Sequence, residues 1–426
     1  MLHVFRNTWA LLVGISLLML GNGMQGTLLG VRGAIEGFST GAMSIVMSGY
    51  FAGFLLGSQM VPGMIRRVGH VRIFAFLGSL ASAGLLLYPV LTDPYSWTAL
   101  RILLGFCFCG VYIVAESWLN NTTTNETRGR ALSLYMIAQM VGIVAAQAIF
   151  ALGDAGDYTL FIIVSVLVSL AFSPILLAAT PVPPFETTKP MSFRTVYETS
   201  PLGFVGIFIL GAVFSALFGM AGVFGAAAGL TSAEIALFVS AIYTGGLILQ
   251  YPVGWLSDRM DRRQLVIAGS VIAILACGLG IADFGGVPGL LVAAFLIGGM
   301  ANPLYALLLA YTNDYLQPED MASASARLLF VNGLGAIGGP LVTGWLMGRV
   351  GPGGFFIFIG VLMALLGLYT GWRMTQRAAV ASDDTTSYYA VAPMATTPVT
   401  VSNMAEAWEE ESIEAAEAAE TAEAAQ

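Results

Sequence analysis

Two ionisable residues of opposite charge lie within one long apolar stretch of this sequence, between about residues 97 and 119. At helical spacing Arg101, Gly105, Tyr112 and Glu116 share one helix face. Arg101 would attract an anion or a carboxylate, or pair with an acid on the first predicted helix, whereas buried Glu116 would exchange a proton. The alternative is that both lie near the membrane surface, with their charged ends in water. Fifteen residues at about 1.5 Å each separate them by roughly 22 Å, so they cannot pair with each other.

Other polar side chains interrupt further apolar stretches near their centres. Amides both donate and accept hydrogen bonds, and tyrosine adds a hydroxyl to an aromatic ring, a combination that suits a small polar or amphipathic solute. The alternative is that these groups only join neighbouring helices by hydrogen bonds. The candidate binding residues, besides Arg101 and Tyr112, are Asn22, Gln25, Ser215, Phe218, Asn302 and Tyr305.

The elements that must position these residues are apolar runs long enough to cross a bilayer. Apolar residues make up 57% of the chain and charged residues 10%, against roughly 25% charged in soluble domains. A spanning helix needs roughly 20 predominantly apolar residues, and the runs are continuous rather than alternating. The sequence therefore predicts an all-α polytopic membrane protein with twelve transmembrane helices. The predicted spans are about 9–31, 41–64, 71–91, 97–119, 130–152, 157–179, 201–224, 232–255, 264–282, 288–313, 322–347 and 353–374.

The basic residues predict the orientation in the membrane. They gather in alternate connections, for example around Arg66 and Arg259, whereas Arg32 and Arg349 fall in the opposite set. By the positive-inside rule both termini are expected in the cytoplasm. Arginine outnumbers lysine sixteen to one, which points to a GC-rich bacterial genome and hence to a bacterial inner membrane.

A repeat divides the spans six and six. A shift of 193 residues pairs Tyr50 with Tyr243, Gly53 with Gly246, and Gly105 with Gly298. We expect an N-terminal six-helix bundle, a cytoplasmic linker, a C-terminal six-helix bundle and an acidic, disordered cytoplasmic tail, with a cavity between the two pseudo-symmetric bundles. The predicted boundaries are 1–179, 180–200, 201–377 and 378–426.

The connection after predicted span 8 carries a recognisable signature. The run Gly254-Trp-Leu-Ser-Asp-Arg-Met-Asp-Arg-Arg263 resembles the Gly-x-x-x-Asp-Arg-x-Gly-Arg-Arg loop of the major facilitator superfamily (MFS), although Asp261 replaces its second glycine. The runs Ala115-Glu-Ser-Trp-Leu-Asn120 and Asn313-Asp-Tyr-Leu316 are similar to its YcaD-like branch. The resemblance covers about residues 5 to 377 and implies that spans 1, 4, 7 and 10 line the central cavity.

Two gates are predicted near the cytoplasmic ends of the helices. Asp258 could cap a neighbouring helix N-terminus, and the resemblance implies that the partner of Asp258 and Arg259 is the start of span 5, at Arg128 and Arg130. The alternative is that Asp258 only sets the topology together with its arginines. A second gate would be an ion pair between Asp314 and Arg327, for which plain structural anchoring is the alternative.

The combined interpretation is a secondary active transporter for a small organic solute, coupled to protons or facilitative, that works by alternating access. The alternatives are an efflux pump for amphipathic toxic compounds and a non-transporting sensor that uses the acidic tail. The single lysine, Lys189, excludes a Walker-type ATP-binding loop, and we expect neither an enzyme nor a cofactor or metal. The expected partners are the solute, a proton and the lipid bilayer, with no nucleic acid, and the chain is expected to be a monomer.

Overall fold

The computed structural model describes residues 2–121, 125–177, 191–378 and 388. Over these residues the backbone forms helices and turns without a strand, so the all-α prediction is confirmed. Helices α1 to α6 are Leu2–Ile35, Thr40–Val68, His70–Leu87, Pro94–Asn121, Asn125–Leu152 and Thr159–Leu177. Helices α7 to α13 are Phe193–Thr199, Pro201–Ala227, Ser232–Ser257, Arg262–Ile281, Gly286–Asn313, Pro318–Val350 and Gly354–Met374.

Most of these helices are long and apolar enough to cross a membrane. Eleven meet that condition over the described residues, and the apolar part of α6, Thr159–Pro174, is shorter. Predicted spans 1 to 6 correspond to α1 to α6, and predicted spans 7 to 12 correspond to α8 to α13. The chain is therefore a multi-pass membrane protein.

Helix α7 is an element that the apolar pattern did not predict. It lies within the predicted linker and begins at Ser192, whose hydroxyl accepts a hydrogen bond from the Thr195 amide at 3.1 Å. Seven residues are too few for a hydropathy signal, and two of its aromatic side chains, Phe193 and Tyr197, are more than 40% exposed. The linker thus enters the second half through a short capped helix.

Glycines bring corresponding helices of the two halves into close contact. In the first half, a Cβ on Gly105 of α4 would clash with the carbonyl oxygen of Tyr50 on α2. In the second half, a Cβ on Gly298 of α11 would clash in the same way with the carbonyl oxygen of Ile242 on α9. Only glycine permits such an approach of two backbones. The repeat in the sequence therefore corresponds to a repeated helix contact, while the domain boundaries stay predictions.

The largest contacts between the two halves are made by three helix pairs, which are α1 with α8, α2 with α12, and α5 with α9. One end of this interface is tightly closed, and we call it the sealed end: there α1 and α8 finish and α2 begins. A Cβ on Gly30 would lie 2.6 Å from the backbone of Gly222. Nearby, the Thr40 hydroxyl donates to the Gly344 carbonyl at 3.3 Å. Backbone thus packs directly on backbone across the two halves at this end.

Candidate functional site

A cavity of about 620 Å³ lies between the two halves. Helices from both halves contribute to its wall, because its lining comes from α1, α2, α4 and α5 and from α8, α9 and α11. The lining residues are Met19, Asn22, Gly23, Gly26, Tyr50, Arg101, Tyr112, Gln139, Met140, Ile143, Phe218, Tyr243 and Asn302. Five of the predicted binding residues therefore line one cavity.

Asn22 joins α1 to two tyrosines on other helices. Its amide nitrogen donates to the Tyr50 hydroxyl of α2 at 3.1 Å and to the Tyr112 hydroxyl of α4 at 2.8 Å. Tyr112 in turn lies 3.6 Å from the sulfur of Met19. Polar groups inside a membrane protein need partners, and this network supplies them. Three hydroxyl or amide groups are thereby held in fixed positions at the cavity wall.

Arg101 of α4 is buried, with 4% of its surface exposed. Its Nη1 donates to the side-chain oxygen of Gln25 at 2.9 Å, and its guanidinium lies 4.7 Å from the centre of the Tyr50 ring. Its Nε has no hydrogen-bond partner. None of the ion pairs formed between described residues includes Arg101. The structure thus places this cation in the protein interior.

Glu116 lies just over four turns further along α4 and is 1% exposed. Tyr135 of α5 donates its hydroxyl to the Glu116 carboxylate at 3.1 Å. Gln139 is one turn beyond Tyr135 on α5 and lines the cavity. The carboxyl group is therefore outside the cavity wall but is connected to it through adjacent polar residues on one helix.

In the second half, Phe218 and Asn302 belong to the cavity, whereas Ser215 and Tyr305 do not line it. The Phe218 ring stacks on Tyr243 with 4.7 Å between ring centres. Asn302 donates to the Gly298 carbonyl at 3.3 Å, and its own oxygen has no donor. Ser215 donates to its own helix, at Ala212, and is fully buried.

Tyr305 is buried as well and meets Phe214 edge to face, with 5.9 Å between ring centres. The sequence predicted the helices that carry Ser215 and Tyr305, but it did not predict which way these side chains point. One face of each helix was assigned to the cavity, although the sequence does not give the rotation of a helix about its own axis.

Three cavity residues with polar side chains, Tyr50, Gln139 and Tyr243, were absent from the predicted site. The sequence did contain a signal for two of them, because Tyr50 and Tyr243 are partners in the 193-residue repeat. A hydroxyl-bearing ring repeated at the same place in both halves is expected to meet its counterpart near the pseudo-symmetry axis. No comparable signal marks Gln139, which is one of several polar residues on α5.

The predicted pair of Asp314 and Arg327 is wrong. Asp314 accepts two hydrogen bonds from Nη1 of Arg262, at 2.8 and 2.9 Å, and both side chains are 2% exposed. Arg327 instead donates to the Met191 carbonyl at 2.8 Å and stacks 4.0 Å over the Phe193 ring. The beginning of α10 lies beside the end of α11, a tertiary neighbourhood that spacing along the chain did not reveal.

The other predicted gate remains a prediction. Asp258 ends α9 and is exposed. Arg259 turns back onto its own helix, donating to the Trp255 carbonyl at 2.9 Å and stacking 4.2 Å over the Trp255 ring. The side chains of Arg128 and Arg130 lie outside the described residues.

Beyond Ala378, one tail residue, Tyr388, is described, and it contacts the same end of α9. A Cβ on Gly254 would lie 2.6 Å from the Tyr388 ring. Burial raises the pKa of the Tyr388 phenol. Gly254 therefore provides the flat surface on which this tail residue packs, next to the loop that carries Asp258.

Comparisons with known proteins agree with this architecture. The family model of the Major Facilitator Superfamily matches residues 11–231 and 203–387. An uncharacterized MFS-type transporter, YcaD, of Escherichia fergusonii is 26% identical over 361 residues, which cover 83% of this chain and 92% of the relative. An uncharacterized MFS-type transporter of Yersinia enterocolitica is 27% identical over 372 residues, which cover 85% of this chain and 94% of the relative.

Two groups of solved structures share the fold. A mutant of the nucleoside transporter NupG superposes with a TM-score of 0.75 at 14% identity, covering 86% of this chain and 99% of the other. A bacterial homolog of the human lysosomal transporter Spinster, in an inward-facing and unoccupied conformation, gives a TM-score of 0.65 at 17% identity, covering 86% and 95%. With its helical bundle, its cavity between two halves and its family-model match, the chain belongs to the Major Facilitator Superfamily of membrane transporters.

Proposed function

We propose that this chain is a secondary active transporter that moves a small organic solute across the bacterial inner membrane by alternating access. The observation that carries the proposal is the cavity, because helices of both halves line it and polar side chains border it. A solute bound there would contact both halves at once. A tilt of one half against the other would then expose the solute first to one side and then to the other.

The sealed end supports a two-state movement of this kind. Contacts such as Gly30 on Gly222 depend on small residues and a few hydrogen bonds, so they can separate without leaving a large apolar surface. The distribution of arginines would put this end outside the cell, with both termini in the cytoplasm. In that orientation the structure corresponds to a state closed toward the outside.

The structural relatives do not identify the solute of this chain. NupG is a nucleoside transporter, but at 14% identity that likeness supports the fold and not the ligand. The chemistry of the cavity is a better guide, since it combines one cation, three amides and several aromatic rings. These groups suit a small solute with a polar end and an apolar body.

Glu116 is the proposed site of proton coupling. A buried carboxyl exchanges a proton more readily than a buried arginine does, and the hydroxyl of Tyr135 donates to the charged form. Loss or gain of one charge at this depth would change the relative stability of the two access states. Gln139 on the same face of α5 would connect that change to the bound solute.

Uptake into proteoliposomes tests the proposal directly. The purified protein would be reconstituted, an inward proton gradient imposed, and uptake of labelled organic acids, sugars, amino acids and amphipathic drugs measured. We expect Glu116→Gln to retain exchange of the transported compound but to lose accumulation driven by the proton gradient. Glu198→Gln is the matched control, because Glu198 is exposed and pairs with Arg194 far from the cavity.

Two results would each contradict a different part of the proposal. If Glu116→Gln accumulates solute as the wild type does, Glu116 is not the coupling site. If well-folded wild-type protein transports nothing in the panel in either direction, transport itself is contradicted and a sensor that uses the tail gains support. Export of amphipathic compounds alone would identify an efflux pump.

A further inference from the structure

We propose that the solute is a small organic monocarboxylate whose carboxylate binds Arg101. This inference rests on the proposed transport function, because it assigns a ligand class to the same cavity. The inference rests on four observations. These are the missing counter-charge of Arg101, the hydrogen-bond donors beside it that have no acceptor, the net charge of the cavity, and the chemistry of the cavity wall formed by the second half.

Arg101 has a charge that no neighbour balances. It is 4% exposed, and none of the ion pairs between described residues involves its guanidinium. Glu116, on the same helix, is roughly 22 Å away along the axis. Charged groups inside a membrane are costly and are kept where they serve a function. An anion that arrives with the solute would supply the missing counter-charge.

The unused donors of Arg101 match the shape of a carboxylate. Nη1 is engaged by Gln25, whereas Nε has no acceptor and Nη2 meets only the sulfur of Met47 at 3.5 Å. A thioether is a weak acceptor that an anionic oxygen would displace. Nε–H and Nη2–H form one edge of the guanidinium, and two parallel hydrogen bonds from this edge fit the two oxygens of a carboxylate.

A second open donor belongs to Gln25, whose side chain contacts Nη1 of Arg101. The side-chain nitrogen of Gln25 is buried and has no hydrogen-bond partner, while its oxygen accepts from Arg101. An anion on Arg101 would offer that nitrogen an acceptor as well. One ligand group would thus satisfy two buried polar atoms that are unpaired in the structure.

The charge of the cavity favours an anion with a single charge. Among the residues that line it in the described part of the chain, Arg101 is the one with a charged side chain. A monocarboxylate would make the occupied site neutral. A dicarboxylate or a phosphate ester would bring a further negative charge into an apolar region where no lining cation offsets it.

The opposite wall indicates what the rest of the ligand is like. Phe218 and Tyr243 of the second half present stacked rings, and Met140 and Ile143 on α5 of the first half add aliphatic surface to the cavity. Asn302 contributes an oxygen without a donor. A ligand with an apolar or aromatic body and a hydroxyl or amino group would fill this wall and donate to Asn302.

Binding to the purified full-length protein tests the ligand class. Melting temperature would be measured against lactate, 3-hydroxybutyrate and 4-hydroxybenzoate, each beside its neutral amide, and against succinate, glycerol phosphate and alkylamines. A ligand that binds the folded state raises the melting temperature with concentration. We expect at least one monocarboxylate to do so and its amide not to do so, and we expect the same acid to be taken up by proteoliposomes.

Substitutions at Arg101 identify the site. Arg101→Gln should weaken binding of the acid about a hundredfold. Arg101→Lys should fall between Gln and wild type, since lysine keeps the charge but not the planar fork. Arg349→Gln is the control, because it removes the same charge from an exposed residue at the end of α12.

The outcomes separate this inference from the transport proposal. If an acid and its amide stabilise the protein equally, or if Arg101→Gln binds the acid as the wild type does, the monocarboxylate site is contradicted while uptake of that compound would still support transport. If only succinate or glycerol phosphate binds, the single-charge argument is overturned. If the folded protein neither binds nor takes up any compound, the transport proposal and the monocarboxylate inference both fail.

Discussion

Arg262 and Asp314 form a buried ion pair that ties the first turn of α10 to the end of α11. Two hydrogen bonds of 2.8 and 2.9 Å join Nη1 of Arg262 to the carboxylate, and both side chains are 2% exposed. The pair lies at the end of the second half from which the α9–α10 connection emerges. It therefore fixes the position of that connection relative to the cavity helix α11.

Breaking this pair should destabilise the protein strongly. Asp314→Leu would leave the Arg262 charge buried without the carboxylate, and loss of one partner of a buried pair costs about 3–5 kcal/mol. The check is the free energy of unfolding in mixed micelles. Glu198→Gln removes a carboxylate from the exposed pair with Arg194 and should change stability by less than about 1 kcal/mol. Equal effects of the two substitutions would show that the Arg262 contact is energetically minor.

The sealed end should open when its glycine contact is filled. Gly30→Val would push a side chain into the backbone of Gly222, which lies 2.6 Å from the position of a Cβ. We expect a cysteine placed at Ser48, a buried position whose hydroxyl contacts α12 across the interface, to react faster with a water-soluble maleimide. Gly278→Val is the control, since no atom lies within 4 Å of a Cβ there. An unchanged reaction rate would mean that Gly30 does not hold the end closed.

Asp261 should make stability depend on pH. Burial alone would raise its pKa, but hydrogen bonds from the Arg263 side chain and backbone outweigh this and lower the pKa below its usual value. A carboxylate with a depressed pKa stabilises the fold above the unfolded-state pKa of about 3.9. That stabilisation is lost as the pH falls through the depressed value.

Asp261→Asn keeps an N-cap residue at α10 and removes only the charge. At pH 7 it should lower stability by about 0.5–1 kcal/mol, and the difference from wild type should shrink as the pH falls below about 4. Melting curves in detergent at several pH values provide the measurement. Asp283→Asn, at an exposed position, is the control for removal of a surface carboxylate. If the stability difference between Asp261→Asn and the wild type were constant across the pH range, the ion pair with Arg263 would be excluded as its source.

The tail contact at Gly254 should be detectable as an energetic coupling. Tyr388→Ala removes the ring, and Gly254→Leu removes the space that the ring occupies. Because both break one contact, the double variant should be little less stable than either single variant, whereas independent effects would add. Thermal unfolding of the four proteins gives the coupling.

Deleting residues 380–426 tests the role of the tail itself. Solute uptake should survive, because none of the described residues that line the cavity belongs to the tail. Loss of uptake from a folded, membrane-inserted protein would show that the tail takes part in transport.

The apolar runs alone were enough to predict the membrane helices, because a spanning helix must be long and apolar whatever its neighbours are. The 193-residue repeat and the signature from Gly254 to Arg263 indicated two halves and the superfamily. Placement of Asn22, Arg101, Tyr112, Phe218 and Asn302 at one cavity also followed from helix periodicity combined with that family resemblance.

The tertiary structure decided which partners those side chains have. Ser215 and Tyr305 turn away from the cavity, and Asp314 pairs with Arg262 and not with Arg327. Periodicity gives a face of a helix but not the rotation of that face against other helices, and contacts across 52 residues leave no local signal. Charge and hydropathy can be read from the sequence alone. Which side chains form ion pairs and hydrogen bonds depends on distances between helices, and these are set only when the helices pack.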